Sequence, residues 1–318
     1  MISLYGPWIL ETSQMLAALA PSALAQFRLA AALAIALIYL LLDVFNSRNV
    51  PTVFAYATLV FGVVMTLTYA SYPYIETSAL VAIIVVAVGY VFYRIGQLGA
   101  ADVIEFAAIS LIIPVQGTPF LLDIPQFGFP LMLSLLINAG VVALVMVIIY
   151  YLPLSIRTVK NSRIKGGIDS LITRYDILKT GFILAVYVVF AGMLSLTVGL
   201  SPAGIALIGI IAFGSIVVTL FERPLIYAMV RYVPVSKIEE GDIIETKLMG
   251  RRELASLKRS INGFDRLVTS KVLAQLKRRR VKKMLPVYKN AMPFAVPIFF
   301  GLVISILFGN LILLILPI

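Results

Sequence analysis

The feature that most constrains this chain is a repeated apolar run. Stretches of about 18–25 residues with almost no charge recur along its length, and each is long enough for a helix to cross a ~30 Å hydrocarbon layer. Across 318 residues, 61% are hydrophobic and 13% charged, so a soluble domain would lack the polar surface to cover itself. Strands of a membrane barrel would alternate in polarity instead of running continuously apolar. The expectation is an all-α polytopic membrane protein with about eight transmembrane helices and a small cytoplasmic α+β segment.

The spans are expected at 25–44, 52–70, 78–95, 101–122 with a kink at Pro114, 129–152, 179–199, 203–221 and 293–316. Residues 1–24 lack a basic leader and read as an interfacial segment anchored by Tyr5 and Trp8. This divides the chain into 1–24, a membrane core over 25–152, a loop with two spans over 153–221, a basic segment over 222–290, and a last helix over 291–318. Within the basic segment, Glu240-Gly241-Asp242 predicts a turn joining 232–238 to 243–247 as a hairpin. Residues 260–285 read as basic and mostly helical.

Charge alternates across the connections. Arg48, Arg94, the group from Arg157 to Lys179, and the long segment Arg223 to Lys289 fall on one side. Glu76, Asp123 and the uncharged Leu200-Ser201-Pro202 fall on the other. Arg28 is the one basic residue out of place. The positive-inside rule makes the basic side cytoplasmic and puts both termini outside. The cluster from Lys277 to Lys283 then faces anionic headgroups. No base-reading feature accompanies it, so nucleic acid is not an expected partner.

The chain has no cysteine and no histidine. That removes thiolate metal sites, a cysteine nucleophile, a zinc-binding H-E-x-x-H helix and a Ser–His pair. Hydrolytic chemistry would have to rest on carboxylates, Lys, Tyr or Ser/Thr, and no metal or other cofactor is expected. A carboxylate at membrane depth costs several kcal/mol, roughly 2.5–3.5 on insertion scales, and marks a functional site by default. Asp43 closes the first span and Asp102 opens the fourth, which runs the opposite way. The two therefore fall at the same membrane face, whereas Asp123 falls at the other. Two close carboxyls share one proton instead of both ionising. The ionised member can take a proton from water attacking a peptide carbonyl, while the protonated member donates to the oxyanion and the leaving amine.

The surroundings suit such a pair. Gly99-Ala100-Ala101 allows close backbone approach at the entry to the fourth helix, and Asp102 suits the positive end of the helix dipole. Pro51 suits the start of the second helix. Asp43 followed by Arg48-Asn49-Val50-Pro51, with Gly99-Ala100-Ala101-Asp102 two spans later, resembles the type IV prepilin and preflagellin peptidases, aspartyl proteases of the G-x-G-D class. The resemblance covers about residues 35–115. It implies Asp43 and Asp102 as the catalytic pair. Arg48, Asn49, Pro51, Gly99, Ala101 and Glu105 would then bind substrate or support the site. It further implies a prepilin or archaellin precursor, cut at the cytoplasmic boundary between a short basic leader and the apolar helix that follows. Ala101 in place of glycine resembles the archaeal branch. Thr52 after Pro51 and Glu105 after Asp102 depart from the bacterial pattern, and the four-cysteine zinc element and methyltransferase region of bacterial members are missing.

Other readings stand beside this one. Asp43 alone could pair with Arg48, and Asp102 alone could be an ordinary first-turn residue. Glu105 reads first as a partner for Arg94, and otherwise as a receiver of a basic leader or a group tuning the pair. Glu222 and Arg223 read as the interfacial end of the seventh span, and the aromatic residues as lipid-facing or interface anchors. Presenilin-like proteases also use two aspartates but need a later P-A-L element, and Pro202-Ala203-Gly204 lies at the wrong face for it. An ion- or proton-coupled transporter, or a non-catalytic pilus assembly factor, would use the same carboxylates differently.

Overall fold

The computed structural model describes residues 6–46, 50–68, 72–95, 98–113, 130–161, 171–197, 199–261, 264–278, 284–289 and 292–315, with backbone only for 6–22, 95 and 161. The chain is predominantly helical, and five helices are long and apolar enough to cross a membrane. Helix α1 (Gly6–Phe45) is followed by α2 (Thr52–Leu67), α3 (Tyr72–Ile95) and α4 (Ala100–Ile112). Helix α5 (Leu131–Met146) continues through a π-helical turn, Val147–Tyr151, into α6 (Leu152–Asn161). Then come α7 (Arg174–Thr197), α8 (Pro202–Leu220) and α9 (Glu222–Met229). The spanning candidates lie in α1, α3, α5 with α6, α7 and α8, while α2 is a shorter apolar helix.

Two helices outrun the apolar runs that identify them. The second span ends at Leu67 instead of 70, and the last, expected over 293–316, is helical only over Ala295–Phe308 before a short turn at Leu311–Ile315. The fifth run, expected to stop at 152, stays helical to Asn161 and carries Arg157 and Lys160 in helix. The sixth begins at Arg174, where Asp176 accepts the Thr173 amide at 2.8 Å and closes the first turn. Helix α1 runs unbroken from Gly6 to Phe45, so the described part of the expected interfacial segment is continuous with the first span. Pro114 and the rest of the expected fourth span lie outside the described residues.

The buried core of the bundle is built by α1, α2, α3, α4, α5 and a late helix, α12 (Ala295–Phe308), with Ala32, Ala36, Ile109, Ile112, Leu135, Ile298 and Leu302 at its centre. Small residues set its close approaches. A Cβ on Gly301 would stand 2.6 Å from the Ala139 amide nitrogen, and one on Gly62 would stand 3.0 Å from the Ala108 carbonyl oxygen. Helix packing without a hydrophobic driving force depends on such contacts. Helix α7 buries no residue at all, which is the pattern of a lipid-facing helix.

Arg28 finds its reason here. It is buried, and its guanidinium donates to the Ile112 carbonyl at 3.1 Å, to the Met65 carbonyl, and to Thr68 Oγ1 at 2.7 Å. These acceptors lie at the C-terminal ends of α4 and α2, where carbonyls lack helical donors and the dipole favours a cation. One side chain thus ties three helices at one end of the bundle.

The polar segment forms a second, separate core. Strand β1 (Val230–Pro234) pairs antiparallel with β2 (Met284–Tyr288), Val230 opposite Tyr288 and Pro234 opposite Met284. Two amphipathic helices, α10 (Arg251–Ser260) and α11 (Ser270–Arg278), cover it through Leu257, Val272 and Leu276. The expected hairpin is therefore corrected. The turn exists, with Gly241 at φ +89, but Ile243 and Ile244 bridge to Leu267 and Val287 instead of pairing with β1. Local turn chemistry marked the reversal, and burial of Val287 and Leu285 in the shared core selected the partner.

Candidate functional site

At the end of the bundle opposite Arg28, four titratable side chains come together. Arg28 and Asp43 are fifteen residues apart on α1, about 22 Å at the helical rise. Tyr39 and Asp43 are one turn apart and share a face of α1, and Asp102 and Glu105 share a face of α4. The two helices pack together, and the charges of Asp43, Asp102 and Glu105 act on one another, with Tyr39 in the field of Asp102 and Glu105. Because α1 ends where α4 begins, Asp43 and Asp102 form an outer layer, and Tyr39 and Glu105 a layer one turn deeper.

Each carboxyl has its own setting. Asp43 is 8% exposed, and its Oδ2 accepts the Ala295 amide at 3.3 Å, which places it at the N-terminus of α12. Asp102 is half-buried in the first turn of α4, and its Oδ2 accepts the Gly99 amide at 2.9 Å. Both carboxylates thus sit at positive helix ends. A Cβ on Gly99 would lie 3.0 Å from Asp102 Oδ2, so glycine there leaves the carboxyl its room. Glu105 is fully buried, and neither of its oxygens has a hydrogen-bond partner. Tyr39, 1% exposed, shares a hydrogen bond with Thr58 Oγ1 at 3.0 Å and packs its ring 5.1 Å from Phe54.

Of the residues singled out in the sequence, Asp43, Asp102 and Glu105 are brought together, and Gly99 and Ala101 line the entry to α4. Pro51 stands at the start of α2, its carbonyl accepting the Ala55 amide at 3.1 Å. It thereby sets the helix that carries Phe54 and Thr58. Arg48, Asn49 and Asp123 lie outside the described residues. The pairing expected between Glu105 and Arg94 is corrected. Arg94 lies 3.9 Å from Asp265, out at the exposed end of α3, while Glu105 points into the bundle. Glu222 opens α9 and meets Lys179 at 3.9 Å and Lys247 at 2.5 Å.

Two parts of the site were not anticipated. Sequence alone groups Tyr39 with the lipid-facing aromatics, although its four-residue spacing from Asp43 on one helix is an available signal. The N-terminus of α12, some 250 residues away in the chain, had no local signal. Among the described residues, no three acidic side chains are arranged to hold a metal ion. Compared with known proteins, the chain matches no family model, no curated protein and no solved structure.

Proposed function

We propose that this protein is a membrane-embedded aspartyl endopeptidase that removes a short basic leader from prepilin- or archaellin-like precursors. The observation that carries the reading is the convergence of Asp43 and Asp102 from oppositely running helices onto one end of the bundle, within reach of each other's charge. The motif resemblance agrees with it. Asp102, half-buried, is the more open of the two, while Asp43 is seated against the α12 amide. With one proton between them, the ionised carboxyl removes a proton from water as it attacks the scissile carbonyl. The protonated carboxyl stabilises the oxyanion and then protonates the leaving amine.

In this reading the chain crosses the membrane eight times, with α2, α4 and α12 as the shorter crossings. Both termini lie outside, the site opens at the cytoplasmic face, and the basic unit after α8 lies in the cytoplasm. Arg28, the one departure from the one-sided charge pattern, supports this topology because its charge is consumed inside the bundle.

The test is cleavage in membranes of a substrate with a basic leader ahead of an apolar helix. Asp43→Asn and Asp102→Asn are each expected to lower cleavage at least about a thousandfold while the protein still inserts. Cleavage persisting in either variant would remove the dyad. Proton flux abolished by the same substitutions, with no cleavage in the parent, would favour the transporter reading.

A further inference from the structure

Glu105 is the least explained group in the molecule. It is fully buried in α4, surrounded by the buried Phe106, Ala108 and Ile109 of its own helix, and neither carboxyl oxygen receives a hydrogen bond. The titratable groups acting on it are Asp102 from its own helix and Asp43 and Tyr39 from α1. Among the described residues, no cation is paired with Glu105. Arg94 is engaged with Asp265, and Arg28 is bound to helix ends at the far side of the bundle. An ionised carboxylate there would be a second negative charge beneath the one the pair already carries, in apolar surroundings. A carboxyl in that position takes a proton instead.

A protonated carboxyl is a donor, and its place one turn beneath Asp102 gives that donor a target. We infer that Glu105 works as a neutral carboxylic acid, a positioning residue that donates a hydrogen bond upward to the Asp43–Asp102 pair when substrate closes the site. This rests on the dyad reading above and adds a residue that the two-carboxylate scheme does not need. The donor would stabilise the ionised member of the pair and keep its acceptor lone pair aimed outward, toward water, as a protonated acid in an apolar site can. The Tyr39 hydroxyl in the same layer is engaged with Thr58 Oγ1 at 3.0 Å.

Two measurements on the full-length protein in lipid test this. The first is independent of cleavage. Infrared difference spectra between the parent and Glu105→Gln at neutral pH are expected to show loss of a protonated-carboxyl C=O band from an apolar environment. Appearance of a lost carboxylate band instead would overturn the inference, even if no substrate were ever cut.

The second compares Glu105→Leu with Glu105→Gln. Leucine removes the donor and is expected to lower kcat about thirtyfold with little change in KM. Glutamine, which keeps a neutral donor, is expected to recover kcat to within about threefold of the parent. Loss in both variants, with KM rising for substrates bearing a basic leader, would show instead that Glu105 is an anionic receiver of the leader. Failure of the dyad itself would appear differently, as cleavage surviving Asp43→Asn or Asp102→Asn.

Discussion

A buried arginine and a cluster of carboxyls occupy opposite ends of the α1–α4 pair, and their physics differs. Arg28 donates to the Ile112 carbonyl at the end of α4 and to the Met65 carbonyl near the end of α2, which Thr68 also reaches. Its replacement by methionine keeps the volume but orphans the Ile112 carbonyl in apolar surroundings and removes the donors to Met65 and Thr68. Charge-assisted hydrogen bonds contribute about 1.5–3 kcal/mol each. Arg28→Met is therefore expected to lower stability by about 3 kcal/mol, read as a drop in the denaturant midpoint in detergent, with the carboxyl end unchanged in its spectroscopy. A shift of under about 0.5 kcal/mol would mean that water or lipid headgroups already satisfy those helix ends. At the other end, Gly99→Ala places a methyl 3.0 Å from Asp102 Oδ2 and contests the carboxyl's position. On the proposed peptidase reading, the expected result is a roughly tenfold loss of cleavage with insertion intact.

At the scale of elements, α12 governs the site from a distance. Its fourteen residues make it about 21 Å long, short for a crossing, and it stops at Gly309, φ +72, where Asn138 of α5 takes over. Asn138 donates to Ser305 Oγ and the Gly309 carbonyl, both at 2.8 Å, and accepts the Leu311 amide at 3.2 Å. Gly301 lies against the α5 backbone at Ala139, and the opposite end of α12 presents Ala295 to Asp43. Gly301→Leu is expected to force α12 from α5 and disturb the Asp43 seat, lowering thermal stability and, on the proposed peptidase reading, cleavage. Gly192→Leu on α7, with open space around it, is the matched control and is expected to be neutral. How much of this the sequence revealed follows from the range of the forces. The apolar runs, the break at Gly99 and the meeting of Asp43 with Asp102 were legible because length, charge and alternating direction are local or additive. The clamp at Asn138, the seat at Ala295 and the pairing of β1 with β2 were not, because each joins residues whose partners are chosen by packing. Glu105 was legible as a site residue but not in its pairing, since the direction of a side chain around a helix decides whether it meets Arg94 or the bundle interior.

The molecule as a whole has two cores that obey different rules. The helical bundle lies in apolar surroundings and holds by close packing and hydrogen bonds. The unit built from β1, β2, α10 and α11 carries most of the chain's excess basic charge and buries its own aliphatic cluster, so it holds by the hydrophobic effect in water. Ion pairs linking it to the bundle, Arg94 with Asp265 and Lys247 with Glu222, are exposed and contribute little. The unit is therefore expected to unfold apart from the bundle, and Tyr288 gives a way to observe it. Burial first, and its hydrogen bond to the buried Glu245 second, push the Tyr288 hydroxyl above its ordinary 10. Glu245 is also bound to Arg266 at 2.9 Å. The folded unit thus keeps the Tyr288 proton at a pH where an unfolded chain has lost it. Where the folded state binds more protons, stability falls as pH rises. The contribution is complete below pH ~10 and declines above it. Hydrogen exchange across β1, β2 and α11 should quicken as pH is raised beyond ~10, after correction for intrinsic rates, while α4 and α12 stay protected. Tyr288→Phe is expected to weaken the unit at neutral pH through the lost bond to Glu245, yet to flatten this alkaline decline. An equal decline in the variant would mean that the alkaline sensitivity belongs to other groups, such as the less shifted Tyr232. Simultaneous loss of protection in both cores would show that the two fold as one.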